Sequence, residues 1–364
     1  MNRLMTPEIK EIIETVHCRP SISLIMPFIA KINLETELSQ AFKIAVDKVE
    51  RELRNNYTEE ISQLMIGKLK ATIDKIDVKT PKKGVAIYIS SLLEKIVYLD
   101  VIVQEHIVID ESFAIRDLIY SKKQCPKYIL LLLSAKRFSF YLGNLNQLTK
   151  LGASIPESIH AYINEWPEKV ANFTDTNDRK QIVIQKFLQH IDTDLGRVIR
   201  EYELPVFLMG TEKLIGHFKK ISKHMEVIVG YINGNYEQMS FAKLEEILKS
   251  HLEVWQNQKD KEAVNTLDTA GERNKLVKGI KPVWEAVMNN LGNKVFVESS
   301  FIYPAQIGSA LDLIEPLQKP DNEVPYQRDA VDEIIEKVIV NGGDVDFVGA
   351  ESLTNYEHIA LVTY

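Results

Sequence analysis

Strand-like and helix-like segments alternate along the middle third of the chain, and this order restricts the possible folds more than any other feature. Residues 128–133 are entirely apolar, which is typical of a strand buried on both faces. A neighbouring strand is expected at 138–142, across a basic turn, and a further strand at 206–209. Apolar residues at helical spacing and one more apolar run predict helices over 184–198, 213–222 and 241–255 and a strand at 227–229. This alternation predicts an α/β protein with a mixed or parallel sheet covered by helices.

The segment before it is predicted to be an N-terminal α/β domain. A short helix is expected at 7–16 and a buried strand at 22–26. From 34 to 54, apolar residues recur three or four positions apart, with Glu and Lys on the other face, which predicts one amphipathic helix. β-Branched residues are frequent in 85–89 and 96–103, which predicts a pair of strands.

The last segment is predicted to be a further α/β unit. Charged, helix-prone residues at 256–277 predict a connecting helix. The elements expected after it are helices over 283–291 and 329–340 and strands at 294–298, 345–348 and 359–363. Gly342 and Gly343 are expected to end the second helix, because glycine accepts the left-handed conformation there. A unit of this size can usually fold alone, so we expect independent folding from Lys278 onward. The predicted domains are 1–124, 125–256 and 257–364.

Net charge limits how this chain could contact nucleic acid. Its value of -7 has the wrong sign for a protein that coats nucleic acid by bulk electrostatics. Any contact with RNA must therefore be local. The candidate RNA-binding residues are Lys79, Lys82, Lys83, Lys122, Lys123, Lys127, Lys136, Arg137, Lys213, Lys219, Lys220 and Lys223. A solvated surface is the alternative interpretation of each group, because runs of charge usually face water.

Location can be predicted from features that are missing. The first ten residues carry charges and a proline where a secretion signal needs an apolar stretch, and the longest aliphatic run, 129–133, is far short of the roughly 20 residues of a membrane helix. Cys18 and Cys125 fit neither a disulfide framework nor a paired zinc site, and both are interpreted as ordinary thiols. We expect a soluble, cytoplasmic protein with no membrane partner.

Motifs for catalysis are also missing. The sequence contains no Gly-x-x-x-x-Gly-Lys-Ser/Thr, no Gly-x-Gly-x-x-Gly and no Gly-x-Ser-x-Gly, the usual phosphate, dinucleotide and nucleophile motifs. His190, Asp192 and Asp194 are interpreted as a solvated helix face, because helix residues two apart point to different sides. Asp344 and Asp346 could share one side of a strand and hold magnesium, but no third ligand is near them. The motifs predict a non-catalytic binding protein without metal or cofactor.

Segments along the whole chain carry a resemblance to a known family. They are 23–27 with the helix ending at 49–53, then 128–137 and 206–210, then 331–336, 341–348 and 359–364. In this order they resemble the bacterial archaeo-eukaryotic release factor family, whose domains are similar to those of class-I release factors and of Pelota. The resemblance implies a ribonuclease-H-like middle domain and a third domain of the L7Ae and L30e type.

Departures from the family pattern shape the expected function. Release factors insert a Gly-Gly-Gln loop into the peptidyl-transferase centre and read stop codons with Asn-Ile-Lys-Ser, and this sequence has neither. Glu357 and His358 replace the family's glycines before the last strand. The resemblance therefore implies a non-enzymatic factor that binds the ribosomal A site and rRNA in hibernation or rescue. It also implies a translational GTPase as a possible partner of the C-terminal domain.

Two other functions remain open from the sequence. A ribonuclease-H-like domain could support metal-dependent cleavage of RNA, which would need three or more converging carboxylates. The third domain could instead bind RNA or a protein away from the ribosome. Steep loss of affinity with salt would favour a factor that neutralises several phosphates.

Overall fold

The structure is a computed structural model that describes residues 7–14, 20–28, 34–77, 80, 82–124, 127–134, 136–144, 147–162, 176–307, 314–316 and 328–364. The chain forms two compact units. The terminal unit combines Met1–Cys125 with Asp260–Tyr364, and the middle unit is Pro126–Lys259. Both units contain β-sheets packed against helices, so the predicted α/β class is confirmed.

The elements predicted from the sequence are present with shifted ends, except that the two helices expected over 241–255 and 256–277 form one helix. The N-terminal part contains α1 (Pro7–Glu14), β1 (Ser21–Pro27), α2 (Leu34–Asn56), α3 (Glu59–Ile73), β2 (Gly84–Ile89), β3 (Glu94–Leu99), β4 (His106–Asp110) and α4 (Arg116–Gln124). The middle part contains β5 (Lys127–Leu133), β6 (Phe138–Asn144), β7 (Gln147–Leu151), α5 (Thr176–Tyr202), β8 (Val206–Gly210), α6 (Glu212–Ile221), β9 (Ile228–Asn233) and α7 (Phe241–Glu272). The C-terminal part contains β10 (Leu276–Lys278), α8 (Ile280–Met288), β11 (Gly292–Glu298), β12 (Pro304–Ile307), β13 (Ile314–Pro316), β14 (Arg328–Asp329), α9 (Ala330–Val340), β15 (Asp344–Val348) and β16 (Ile359–Thr363).

An antiparallel sheet of order β3-β2-β1-β4 organises the N-terminal part. Residues of β1 and β2 alternate between its two faces, as strand geometry requires. Leu24 and Ile87 pack with α2 and α3 in one core, whereas Ile25 and Tyr88 belong to another. The amphipathic pattern of 34–54 therefore correctly predicted the buried face of α2.

The C-terminal part has a sheet of order β10-β16-β11-β15, in which only the β11–β15 pair is parallel. Gly342 follows α9 with φ +81°, which confirms the predicted glycine end of that helix. Trp284 of α8 and Val331 of α9 share one continuous core with Tyr88 and Ile115 of the N-terminal part. Independent folding from Lys278 onward stays a prediction, and this shared core argues against it, because large apolar side chains of both parts bury one another.

The middle unit has a five-stranded sheet of order β7-β6-β5-β8-β9. β5, β6 and β7 are antiparallel neighbours, and β8 and β9 run parallel to β5. One face packs on α5 and α6, and the other packs on the first half of α7. This is the mixed sheet that the alternation predicted. Its ribonuclease-H-like description, and the L7Ae-like description of the third domain, stay predictions.

Within the part of the chain that the structure describes, no helix has the length and hydropathy of a membrane span.

Candidate nucleic-acid interface

The candidate RNA-binding residues differ in whether a carboxylate of the protein neutralises their charge. Lys82 Nζ lies 2.6 Å from Asp100 Oδ1, and Arg137 Nε lies 3.7 Å from Glu237 Oε1. Lys122, in α4, also interacts with another group of the protein. Lys79 lies outside the described residues. A cation already paired within the chain gains less from a phosphate, because binding must first disrupt its existing pair.

Lys123 is the most completely neutralised candidate. Its Nζ lies 2.9 Å from both Asp344 Oδ1 and Asp346 Oδ1, and Lys294 Nζ approaches the other oxygens of the two carboxylates at 3.4 and 2.6 Å. Burial alone would raise the pKa of Asp346, but the charges and hydrogen bonds of Lys123 and Lys294 outweigh it and lower that pKa. The two aspartates share one side of β15, as predicted, and they bind two lysines. Lys123 is thereby committed to holding α4 against β15.

The remaining candidates keep their charge available. Lys83, Lys127 and Lys136 each lack a second candidate beside them in the sequence whose charge is still available. The other four lie on and just after α6, and we call them the α6 face: Lys213, Lys219, Lys220 and Lys223, all exposed. Among the described residues, no carboxylate oxygen lies within 4.0 Å of these four ammonium groups. This is the one candidate group whose members are all exposed and free of ion pairs in the described part of the chain.

Local sequence explains why α6 presents its lysines outward. Leu214, Ile215 and Phe218 are buried against the sheet. Glu212 lies in the first turn, and Lys219 and Lys220 lie in the last. The negative charge therefore lies at the N-terminal end of the helix and the positive charges lie at its C-terminal end, where the helix macrodipole favours each of them. The helix needs no partner carboxylates for its lysines.

Charge differs sharply between the two units. Residues 126–259 contain 17 Lys and Arg against 15 Asp and Glu, a net charge of +2, whereas the residues of the terminal unit contain 27 against 36, a net charge of -9. The net negative charge of the chain thus belongs to the terminal unit. A polyanion is therefore repelled less by the middle unit than by the terminal unit. The α6 face belongs to the middle unit.

The prediction that His190, Asp192 and Asp194 form a solvated face is wrong. His190 is half-buried and interacts with another group of the protein. Asp192 and Asp194 are only 6% and 2% exposed. Because they are two positions apart in α5, they face different partners. Asp194 binds Ser154 and Arg197, and Asp192 binds residues that follow α6. Among the described residues, no group of three or more His, Cys, Asp or Glu side chains is arranged to hold a metal ion.

Sequence reasoning missed two contributors to this region, Tyr231 and Arg200, and assigned Asp192 a different role. Tyr231 lies under Lys219, with Lys219 Nζ 3.6 Å from the ring centroid. Arg200 and the buried Asp192 belong to α5, and they come close to the end of α6 only in the folded unit. One signal was present in the sequence. Gly196 interrupts an otherwise good helix, which commonly marks a close approach by another group.

Comparison with known proteins supports the resemblance seen in the sequence. Residues 127–290 match the model of bacterial archaeo-eukaryotic release factor family 3. No curated protein matches this chain. The family match covers the middle unit, including the α6 face, and confirms the resemblance to release-factor-like proteins there.

Solved structures give looser similarities. An archaeal translation termination factor is 12% identical over 98% of this chain and 96% of its own, with a TM-score of 0.25. Pelota from Thermoplasma acidophilum is 10% identical over 78% of this chain and 85% of its own, with a TM-score of 0.25. A ribosome-bound archaeal Pelota is 10% identical over 98% and 93%, with a TM-score of 0.43. These scores are too low to carry the details of those proteins over to this one.

Proposed function

We propose that this protein is a ribosome-associated translation factor that binds the A site without releasing the nascent peptide. The observation that carries the proposal is the match of 127–290 to a release factor family model in a chain whose sequence contains no Gly-Gly-Gln. The family match supports association with the ribosome. Without that motif, none of the known sequence motifs supplies the group that would place a water beside the ester bond of peptidyl-tRNA.

The charges support a division of labour between the two units. The middle unit carries the positive α6 face, which suits rRNA. The net charge of -9 on the terminal unit disfavours contact with phosphates, so a protein suits it better as a partner. A translational GTPase that delivers the factor in the cytoplasm is the partner that we propose, and the role is hibernation or rescue of a stalled ribosome.

Sedimentation with ribosomes tests this proposal. Purified protein is centrifuged with vacant ribosomes at a low and a high salt concentration, with and without deacylated tRNA filling the A site. We expect the protein to pellet with ribosomes at low salt, to be lost steeply as salt rises, and to be displaced by A-site tRNA. A protein that stays in the supernatant at low salt would refute ribosome association, and pelleting unaffected by the tRNA would refute the A site.

A further inference from the structure

We propose that the α6 face, with His224 and Arg200 beside it, is a preorganised docking site for the phosphate backbone of double-helical RNA, and that Asp192 is its positioning residue. The inference deepens the proposed function and rests on it, because rRNA in the ribosome would be the source of the duplex. It adds the surface, the chemistry that it recognises and the buried group that shapes it.

The outer side of α6 is open to close approach. Lys213 and Lys220 are seven residues apart, which places them about 10 Å apart along the axis on nearly the same side of the helix. Gly216 lies between them, and a Cβ added there would have no atom within 4 Å. A phosphate group can therefore come close to the backbone between two exposed ammonium groups.

Lys219 is held in place by an aromatic ring. Its Nζ lies 3.6 Å from the centroid of the Tyr231 ring in β9, a cation–π contact. The contact already restricts the rotamers of this long side chain, so less rotamer freedom is lost when a phosphate binds. It also covers a face of Tyr231 that could have stacked on an unpaired base.

Asp192 fixes the chain where it leaves α6. The Ser222 hydroxyl donates to Asp192 Oδ1 at 2.6 Å, the Lys223 amide donates to Oδ2 at 3.2 Å, and His224 Nδ1 lies 3.0 Å from Oδ1. The carboxylate is thus used by three consecutive residues. Its burial in α5 makes it a rigid anchor, so Lys223 and His224 leave α6 in a defined direction.

Gly196 makes room for the histidine ring. A Cβ at Gly196 would lie 2.8 Å from His224 Cε1 and Nε2, and 3.7 Å from Arg200 Nη1. The imidazole and the guanidinium therefore both lie close to the same glycine of α5. Lys223, His224 and Arg200 extend the basic surface beyond the end of α6.

The acidic residues nearby do not cancel this charge. Glu212 and Glu226 are exposed at the two ends of the region, and Glu201 is paired with Arg197 at 2.9 Å. Asp192 is the acid that faces His224, and it is buried. Within 212–226, four lysines stand against two glutamates.

Duplex RNA fits this surface better than single-stranded RNA does. Single-strand binders combine basic grooves with aromatic faces on which bases stack, and the Tyr231 face that points to α6 is already covered by Lys219. Double-helical RNA is recognised through its backbone and shape. Several exposed cations fixed to one rigid unit match that mode.

The first test removes charge from the outer side of α6. Lys213→Gln with Lys220→Gln is compared with wild type for binding to an RNA hairpin duplex over a range of salt concentrations. We expect weaker binding to duplexes of any sequence, and a slope of log affinity against log salt that is smaller by about two, one for each phosphate that a lysine no longer neutralises. Lys243→Gln with Lys249→Gln removes the same charge from α7 and should leave the slope as in wild type. Equal slopes for wild type and the α6 variant would overturn the proposal.

The second test concerns Asp192 and uses Asp194 as its matched control. Asp192→Ala should reduce the salt slope by about one or two, because Lys223 and His224 lose their anchor, and Asp192→Asn should restore part of it. Asp194→Ala removes the other buried carboxylate of α5 and should lower the melting temperature without changing the slope. Gly196→Ala, a helix-compatible change that displaces His224, should act like Asp192→Ala. Equal effects of the Asp192 and Asp194 variants on the slope would contradict a positioning role.

The outcomes separate this inference from the proposed function. If wild type binds duplex RNA through the α6 face but does not pellet with ribosomes, the proposed function fails and the docking site stands. If wild type pellets with ribosomes and the α6 variant does so equally at all salt concentrations, the docking site fails alone. Competition by polyglutamate as effective as competition by RNA would identify the surface as a site for acidic proteins and overturn the RNA proposal.

Discussion

Glu357 and His358 lie consecutively in the left-handed backbone region, with φ of 57° and 68°. This region costs an L-residue roughly 1–2 kcal/mol. His358 receives compensation, because its Nδ1 lies 2.9 Å from Oε2 of Glu298 and its ring stacks on Phe301. Glu298 is 3% exposed and also accepts from the Leu353 amide. Two non-glycine residues therefore hold a backbone conformation that usually favours glycine.

Glycine substitutions at these two positions should act in opposite directions. Glu357→Gly should stabilise the protein by about 1 kcal/mol, because an exposed side chain is removed and the strain is relieved. His358→Gly should destabilise it by about 1–3 kcal/mol, because a buried carboxylate loses a partner. Urea unfolding monitored by circular dichroism measures both. Stabilisation by both substitutions would show that the Glu298–His358 pair contributes less than the backbone strain at His358 costs.

Asp332 and Asp346 have pKa values shifted in opposite directions. Burial and then the charge of Asp329 raise the pKa of Asp332 well above its ordinary 3.8, against the hydrogen bond from the Arg116 amide. The pKa of Asp346 is lowered, as its two lysine partners outweigh burial. On folding, Asp332 therefore keeps its proton to a higher pH than in the unfolded chain, and Asp346 loses its proton at a lower pH.

Stability should therefore depend on pH with opposite signs at the two sites. The contribution of Asp332 is complete below about pH 4 and is lost as pH rises toward the raised pKa. Asp332→Asn keeps an acceptor for the Arg116 amide and should flatten the decline in stability that begins as pH rises above about 4. Asp346→Asn should lower stability at neutral pH and flatten the acid side below about pH 4, where the contribution of Asp346 is lost. Unfolding midpoints across pH measure this, and unchanged profiles would refute the assigned directions.

At the scale of elements, β5 and β6 are joined by an aromatic ring lying over a glycine. Gly143 is the direct partner of Tyr128 in the antiparallel pair, and a Cβ on Gly143 would lie 2.2 Å from the buried Tyr128 ring. The ring fills the space that a side chain would take. The centroid of the Tyr128 ring also lies 5.3 Å from that of Phe207 in β8. The Tyr128 ring therefore links β5, β6 and β8.

Alanine at Gly143 should consequently destabilise the middle unit by about 1–3 kcal/mol through overpacking. Gly67→Ala is the matched control. Gly67 lies on the exposed side of α3 with no atom near its missing Cβ, and alanine there should stabilise the helix by about 0.5–1 kcal/mol. Thermal melts of the two variants give the comparison. A Gly143→Ala protein as stable as wild type would show that Tyr128 can move aside freely.

The sequence predicted elements well where one pattern dominated and poorly elsewhere. The apolar strand β5 and the amphipathic helix α2 were found because burial follows their periodicity. Helix α3 was missed because two of its buried positions are Ser62 and Thr72, whose hydroxyls weaken the apolar stripe. The segments 241–255 and 256–277 were predicted as separate helices, but α7 runs on to Glu272. Helix propensity alone could not show that no break separates them.

At the scale of the whole molecule, sequence could identify the basic residues but not their partners. Lys123 pairs with Asp344, more than 200 positions away, and Arg116 Nη1 lies 3.1 Å from Asp329 Oδ2. Such pairs follow from tertiary packing and leave no local pattern. The sequence already included the lysines of the α6 face among its basic groups, and the fold then showed which of those groups lack a carboxylate partner among the described residues.

Truncation tests the shared core of the terminal unit. A fragment ending at Trp255 lacks Trp284 and Val331 of the core around Tyr88, and it lacks the carboxylate of Asp329 that pairs with the buried Arg116. We expect it to show no cooperative melt of the N-terminal part and to bind a hydrophobic dye. A fragment of residues 126–259 should melt cooperatively, since its cores are its own. A cooperative melt of the N-terminal part in the first fragment would show that the shared core is dispensable.

The central claim is that this protein binds ribosomes without releasing peptide. Ribosomes carrying labelled peptidyl-tRNA in the P site can be incubated with the protein and sedimented, with the protein and the retained peptide measured in the same pellet. We expect the protein to pellet with the ribosomes while the retained peptide equals that of a control without the protein. Loss of peptide from the pellet above that control, or protein left in the supernatant, would contradict the claim.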